Sequence, residues 1–311
     1  MIDKVNEPAS LMAHADSARR HANGALDDTR RAALGQFMTP APIAGLMAEM
    51  FELGAENIRL LDAGAGVGSL TAAVVAELCS RKKPPSSIDA TAFEIEPLML
   101  EQLRVVLRTC EHEARRAGVR FHGRRCENDF ISSAVALLDP GLFRNETLPR
   151  FNAAILNPPY RKIHSDSIER SALRAAGIEA SNLYAAFVAL AIKLLEPGGE
   201  IVAITPRSFC NGPYFRPFRR LLLGETALLR VHVFETRDTA FKDDAVLQEN
   251  VIFHAKKGAT QGRIELSVSS GPSAQVRSRT VPSHAVVAPE DPNAFTHLAV
   301  CEEDDVAAAR I

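Results

Sequence analysis

The chain has 311 residues, 46% of them hydrophobic and 24% charged, with a net charge of −2 when histidine is neutral. This is the balance of a globular protein with one large domain or two small ones. It excludes a wholly basic nucleic-acid coat and a low-complexity chain, but it leaves room for a local basic face.

Five cysteines, Cys79, Cys110, Cys126, Cys210 and Cys301, are scattered with no two at metal-ligand spacing. The pattern fits a reduced, cytoplasmic chain without zinc better than a disulfide framework. No charged-then-apolar start marks a signal peptide, and the most apolar stretch, 183–192, is too short to span a bilayer. The expectation is a cytoplasmic protein with no metal and no membrane contact.

In chain order, Leu11 to Ala22 and Asp27 to Leu34 read as polar helices. After Gln36-Phe37-Met38-Thr39-Pro40, apolar residues recur at helical spacing at Ile43, Leu46, Met47, Met50 and Phe51. Thr39 or Pro40 therefore opens a helix, Thr as a cap or Pro in the first turn. A regular alternation follows. Strands are expected over Ile58 to Ala63, Ala90 to Ile95, Val119 to His122 and Phe151 to Leu156, and helices over Ser69 to Cys79 and Pro97 to Ala117. Asn182 to Leu195 reads as an apolar helix closed by Pro197-Gly198-Gly199, and Glu200 to Thr205, Leu228 to Phe234 and Asn250 to Ala255 as three more strands. Such alternation predicts an α/β fold, a mainly parallel sheet covered by helices on both faces. The two late strands predict an antiparallel hairpin at one edge. Past Lys257 the sequence loses clear period, and near the C-terminus it turns acidic. The expected division is a helical extension over 1–34, a catalytic domain over 35–258 and a tail over 259–311. No internal repeat is visible.

The segment Leu60-Leu61-Asp62-Ala63-Gly64-Ala65-Gly66-Val67-Gly68 joins a strand to a helix. Small residues there let the backbone approach a ligand, and the helix start offers free N–H groups. A plain tight turn would look similar. Glu94, at the tip of the next strand, can accept both hydrogen bonds of a ribose diol, or be a solvated strand-end charge. The loop lacks the Lys of a triphosphate-binding loop, which points to an adenosine without a large phosphate burden. Asp129 and Phe130 can bind an adenine amine and pack on its ring, or serve as a helix cap and a core residue.

Asn157-Pro158-Pro159-Tyr160 stands at the carboxyl end of an apolar strand, where open parallel sheets hold ligands. An exocyclic aromatic amine is a poor nucleophile, because its lone pair is delocalised into the ring. The Asn157 side-chain oxygen and the Pro158 carbonyl can hold its two N–H groups and stabilise the positive charge that develops as it attacks a methyl donor. The prolines stiffen the loop and leave carbonyls facing the substrate. Tyr160 can stack on a planar base.

Taken in order, these segments resemble the adenine-N6 DNA methyltransferases, and most closely the gamma class of bacterial restriction-modification methylases. Gly35 to Pro40 with its helix is similar to the family's methionine-end motif, and the glycine loop, Glu94, the Asp-Phe pair and Asn-Pro-Pro-Tyr follow. The resemblance spans about Gly35 to Lys257. It implies a Rossmann-like class I methyltransferase fold, S-adenosylmethionine as cofactor and double-stranded DNA as substrate. It also implies a cognate restriction endonuclease, and a target-recognition region that is separate, missing or only begun after Lys257. Carried over, Thr39, Pro40, Asp62, Gly64, Gly66, Gly68, Glu94, Asp129 and Phe130 hold the donor, while Asn157 to Tyr160 hold the adenine. Phe241 is expected against the flipped base. Residues 207–230 carry five Arg, including Arg207 and Arg216, against the single acid Glu225. They read either as a phosphate-contacting stripe or as a solvated helix face. Two other functions remain open: a methyltransferase acting on protein glutamine or ribosomal-RNA amines, which also use Asn-Pro-Pro-Tyr, and an inactive methylase that binds the donor or a partner.

Overall fold

The structure is a computed structural model and describes residues 10–25, 38–138, 150–235, 249–271 and 274–299. Nine strands form one sheet in the order β3-β2-β1-β4-β5-β7-β6-β8-β9. The strands are β1 (Asn57–Ala63), β2 (Ser87–Phe93), β3 (Arg120–Cys126), β4 (Phe151–Leu156), β5 (Leu195–Pro206), β6 (Thr226–Phe234), β7 (Asn250–Lys257), β8 (Ile264–Ser269) and β9 (Arg277–Val281). The first five pair in parallel, and β7 inserts antiparallel between β5 and β6.

Nine α-helices are described: α1 (Leu11–Ala25), α2 (Ala41–Glu49), α3 (Ser69–Ser80), α4 (Pro97–Arg116), α5 (Phe130–Leu138), α6 (Ile168–Ala175), α7 (Leu183–Leu194), α8 (Arg216–Glu225) and α9 (Ser283–Val286). The period of two along β1 divides the core. Ile58 and Leu60 pack with α2 and α3 on one face, while Leu61 and Ala63 pack with α5 and α7 on the other. Leu60 and Leu61 are both fully buried, a burial that contributes about 1.5–3 kcal/mol each. All six residues of β4 are buried, as expected for a central parallel strand covered on both sides.

Two expectations need correcting. The antiparallel pair β6–β7 is not at the edge, because β8 pairs in parallel with β6 and β9 pairs antiparallel with β8. The tail expected from 259 therefore contributes two strands to the same sheet. The strict alternation Ile264-Glu265-Leu266-Ser267-Val268-Ser269 is the strand signal that the surrounding Gly, Ser and Pro obscured. The expected helix over Asp27 to Leu34 and the acidic C-terminal stretch lie outside the described residues.

Candidate active site

The carboxyl ends of β1, β2 and β4 meet at one cleft. β1 gives way to a turn in which Gly64, Gly66 and Gly68 all have positive φ, at 79°, 56° and 92°. Only glycine takes that backbone shape without strain. The Gly64 and Ala65 N–H groups both donate to Phe93 O, at 3.0 and 2.8 Å, and lash the turn to the end of β2. Gly68 caps α3, and a Cβ placed there would lie 2.8 Å from Leu103 Cδ1. The third glycine thus brings the glycine turn close to α4.

Glu94 follows β2 directly and is 4% exposed. Its Oε2 accepts from Gly66 N and its Oε1 from Ile95 N and Glu96 N, each at 2.8 Å. Burial pushes this carboxyl above its usual range, and the three N–H bonds pull against that. Asp62 is fully buried in β1, where its Oδ2 accepts from Thr71 Oγ1 at 2.7 Å and Thr71 N at 3.2 Å. Burial raises its pKa to about 7, chiefly against the Thr71 bonds.

The tip after β4 faces the glycine turn. Asn157 Nδ2 donates to Thr39 Oγ1 at 3.0 Å, linking the tip to the residue before Pro40. Of the two residues expected to open α2, Pro40 takes the cap position, without a side-chain bond, and Thr39 precedes it. A cleft is lined by Met38, Thr39, Gly64, Gly66, Glu94, Asn157 and Pro159 among others. Ser69 also lines it, 6% exposed, and its Oγ lacks a hydrogen-bond partner among the described residues, as does Asp62 Oδ1.

The structure brings Thr39, Gly64, Gly66, Glu94, Asn157 and Pro159 together. The other expected residues are placed differently. Asp129 Oδ1 accepts from Ser132 N at 2.8 Å, as a cap for α5. Phe130 is buried between Phe93 and Phe187, with ring centroids 5.2 and 5.0 Å away. For both, the structural alternative describes what is seen, and neither lines the cleft. Tyr160 turns its ring edge-on to Tyr184 at 6.2 Å, and Tyr184 in turn stacks on Phe215 at 5.4 Å. Phe241 lies outside the described residues.

A sequence pattern of the Eco57I restriction-modification methylases matches residues 124–241, which include the Asn157-to-Tyr160 tip. Over 299 residues, 96% of the chain, it is 46% identical to the type II methyltransferase M.PstI of Providencia stuartii. Over 276 residues, 87% of the chain, it is 44% identical to M.BsuBI of Bacillus subtilis. The chain is a homologue of these type II methyltransferases. It spans only about half their length, 58% of the first and 53% of the second. Among solved structures, it superimposes on a Listeria monocytogenes protein assigned to the class I S-adenosylmethionine-dependent methyltransferases with a TM-score of 0.60 at 14% identity, covering 85% of this chain and 75% of that one. An assembly of the type I restriction-modification system gives 0.62 at 14% identity, covering 96% and 67%. These likenesses show the fold, the class I methyltransferase fold expected from the sequence.

In this methylase homologue the arginines of 207–230 are engaged with the protein itself. Arg216 Nε and Arg220 Nη2 donate to Pro292 O, at 2.9 and 3.1 Å, and Arg230 pairs with Glu52 and Glu265. Arg207 lies 3.5 Å from Glu249. Arg219 is fully buried; its Nη1 donates to Phe209 O and Gly212 O at 2.8 Å and its Nε to Asn293 O at 2.9 Å. Sequence reading missed Arg219 because its partners are backbone carbonyls, which carry no residue signature. It also missed Met38 and Met99 in the cleft wall, although each lies beside a motif that it singled out.

Proposed function

We propose that this chain transfers a methyl group from S-adenosylmethionine to the N6 amine of adenine in double-stranded DNA, within a restriction-modification system. The observation that carries the reading is the single cleft shared by Gly64, Gly66 and Glu94 on one side and Asn157 and Pro159 on the other. The residues fit the donor. The glycines keep the cradle open, Glu94 offers a carboxylate at the tip of β2, and Asp62 Oδ1 and Ser69 Oγ are buried polar atoms without a hydrogen-bond partner among the described residues. When bound, the donor supplies an electrophilic methyl group on a sulfonium sulfur.

The chain's own residues supply binding, orientation and electrostatics. Asn157 Oδ1 and the Pro158 carbonyl accept the amine's N–H groups, favour a pyramidal nitrogen and stabilise its growing positive charge. The stiff Pro158-Pro159 turn keeps those acceptors in place. The adenine leaves the duplex to reach them, because a stacked, paired amine cannot. Arg207, Arg216, Tyr160 and Phe241 are assigned to the DNA, and Thr39, Pro40, Gly68, Asp129 and Phe130 to support of the donor side. Site recognition is assigned to a target-recognition region that is separate, missing or only begun after Lys257, and a cognate endonuclease is the expected companion.

The test uses the full chain, donor labelled on the methyl group and an adenine-containing duplex, followed by digestion to nucleosides. Label in N6-methyl-2′-deoxyadenosine is expected. Label in guanine, in cytosine or in protein glutamine, with none in adenine, overturns the reading.

A further inference from the structure

Tyr214 stands in water on a loop that is itself tightly held. It is 80% exposed, the one exposed Phe or Tyr among the described residues. The loop joins β5 to α8 and is fixed on both sides of this residue. Gly212 N donates to Ser208 O at 2.9 Å, Phe215 N donates to Gly212 O at 3.1 Å, and Gly212 O also accepts from Nη1 of the buried Arg219 at 2.8 Å. A Cβ on Gly212 would lie 2.6 Å from Ser208 O, so the chain passes there only as glycine. Pro213 restricts its own φ, and Phe215 is buried with its ring stacked on Tyr184 at 5.4 Å. One aromatic of this turn is thus anchored inward while its neighbour is held outward.

The loop follows the carboxyl end of β5, the parallel neighbour of β4, so it shares a rim with the Asn157-to-Tyr160 tip. Two ring contacts connect them: Phe215 with Tyr184, and Tyr184 with Tyr160 at 6.2 Å. Arg161 and Lys162, directly after Tyr160, are exposed on the same side of the sheet. Cations placed there attract a phosphate backbone. A ring in water adds nothing to the core, but on an ordered loop it is a stacking platform that loses little freedom when a base meets it. A base that leaves a duplex uncovers the faces of its neighbours, which supplies such a partner close to the tip.

We infer that Tyr214 is a DNA-binding residue that stacks on a base flanking the target, outside the pocket that holds the target itself. The inference rests on the DNA-methylation reading above and adds to it an uncharged contact on the rim. Stacking uses the face of the ring and neutralises no phosphate. Tyr214 therefore strengthens DNA binding without adding to its salt dependence, and phenylalanine serves in its place.

The experiment compares the full chain as wild type, Y214F and Y214A, each saturated with S-adenosylhomocysteine, on a pool of random-sequence duplexes. Fluorescence anisotropy over a salt series gives affinity and its salt slope. Y214A is expected to bind about 5- to 100-fold more weakly with an unchanged slope, and Y214F to stay within about twofold of the wild type. Calorimetry should give all three the same affinity for S-adenosylhomocysteine, and their thermal melts should coincide, since the ring lies in water. A second readout needs no variant. Duplexes with 5-iododeoxyuridine in place of thymidine are irradiated on the wild type, and the crosslinked peptide is expected to carry the modification at Tyr214. Wild-type affinity in Y214A overturns the inference, as does a crosslink pattern without Tyr214. Y214F as weak as Y214A overturns it too and makes the hydroxyl the contact, while a shallower salt slope in Y214A makes Tyr214 part of a phosphate contact and overturns stacking. Wild-type protein that binds no duplex overturns the DNA reading and the inference with it. Label in cytosine instead of adenine overturns the adenine reading while the Tyr214 contact stands.

Discussion

Glu94 Oε2 accepts the Gly66 N–H at 2.8 Å, so the tip of β2 is tied to the turn that follows β1. Its other oxygen gathers the N–H groups of Ile95 and Glu96, which open the way into α4. One carboxylate therefore shapes two of the turns that wall the cleft, before it touches any ligand. Its acceptors are aimed because the backbone holds them, and pre-set acceptors lose little freedom on binding.

Removing that carboxylate should act on both roles. E94A leaves up to three backbone N–H groups without their acceptor, and an orphaned buried donor costs about 1–3 kcal/mol. E94Q keeps one accepting oxygen but turns an NH2 toward N–H groups that need acceptors, so it should be only a partial rescue. Thermal melting should rank the wild type above E94Q and E94Q above E94A. Calorimetry with S-adenosylhomocysteine should give the same order, with E94A weaker by at least about tenfold. Wild-type affinity in E94A would remove Glu94 from the donor site.

Asn157 should separate chemistry from donor binding. N157A deletes one of the two acceptors, and loss of a single charge-stabilising contact costs on the order of 100- to 1000-fold in turnover. The donor side of the cleft stays intact, so S-adenosylhomocysteine affinity should change by only a few fold. Single-turnover transfer to an adenine duplex, beside calorimetry on the same preparation, checks both halves. A parallel fall in the two would make Asn157 a donor contact instead.

What was legible in the sequence was short-range. The glycine turn and the Asn157-to-Tyr160 tip each consist of contiguous residues whose types restrict the backbone, so they stand out without knowledge of the fold. Asp129 and Phe130 were not decidable, because an Asp before a helix is as good a cap as a ligand and a Phe is as good a core residue as a ring platform. The partners of the arginines of 207–230 were not legible for a different reason. Counting charges cannot see the Pro292 and Asn293 carbonyls that take Arg216, Arg219 and Arg220, some 70 residues downstream. Thr39 sits between these cases: its neighbourhood was singled out, but its bond to Asn157 exists only in three dimensions.

Gly68 should be intolerant of any side chain. Its φ of 92° is a left-handed conformation, and an added Cβ would meet Leu103 Cδ1 at 2.8 Å and Val106 Cγ1 at 3.2 Å. G68A therefore adds backbone strain of about 1 kcal/mol to a steric clash that α4 can relieve only by moving. The expected total is about 2–4 kcal/mol, read by denaturant unfolding. Gly66, with only Met38 Cγ within 4 Å at 3.9 Å, is strained without the clash, so G66A should cost less stability than G68A.

Asp62 predicts a slope in stability against pH. Its folded pKa of about 7 lies above the model-peptide value of 3.8, so the folded state binds the proton more tightly than the unfolded state. That contribution is complete below pH 4 and is lost as pH rises through 7. His232 acts in the opposite sense. Burial between Ser267 Oγ and Ser269 Oγ lowers it from 6.5 to about 4, so its contribution is lost as pH falls below 6.5. The two overlap between pH 4 and 6.5, and only the difference between variants separates them. Unfolding free energies at pH 5 and 8 should fall with pH more steeply for the wild type than for D62N. Equal slopes would mean that Asp62 is already ionised when folded.

Arg219 should govern whether the segment over 291–299 stays on the domain. Its guanidinium joins the loop after β5, through Phe209 O and Gly212 O, to Asn293 O, and its Cζ lies 4.9 Å from the Phe295 ring. R219K has one ammonium where a planar fork reached three carbonyls, so it cannot keep all three. R219M keeps an apolar stem of similar length but loses the guanidinium over the ring and leaves every one of those acceptors unpaired. Each variant should therefore be less stable by about 1–3 kcal/mol per buried acceptor left without water, with R219M the worse. The local readout is hydrogen exchange at Thr296 and His297, whose N–H groups bond Cys210 O and Val286 O at 2.9 and 2.7 Å. Both amides should lose protection in R219M while those of β4 keep theirs. The loop that Arg219 grips carries Phe215, which stacks on Tyr184 beside Tyr160. Release of the segment should therefore also loosen the aromatic support under the Asn157 tip, and turnover should fall even where donor affinity holds. Unchanged exchange at Thr296 in R219M would show that the segment is held by other contacts.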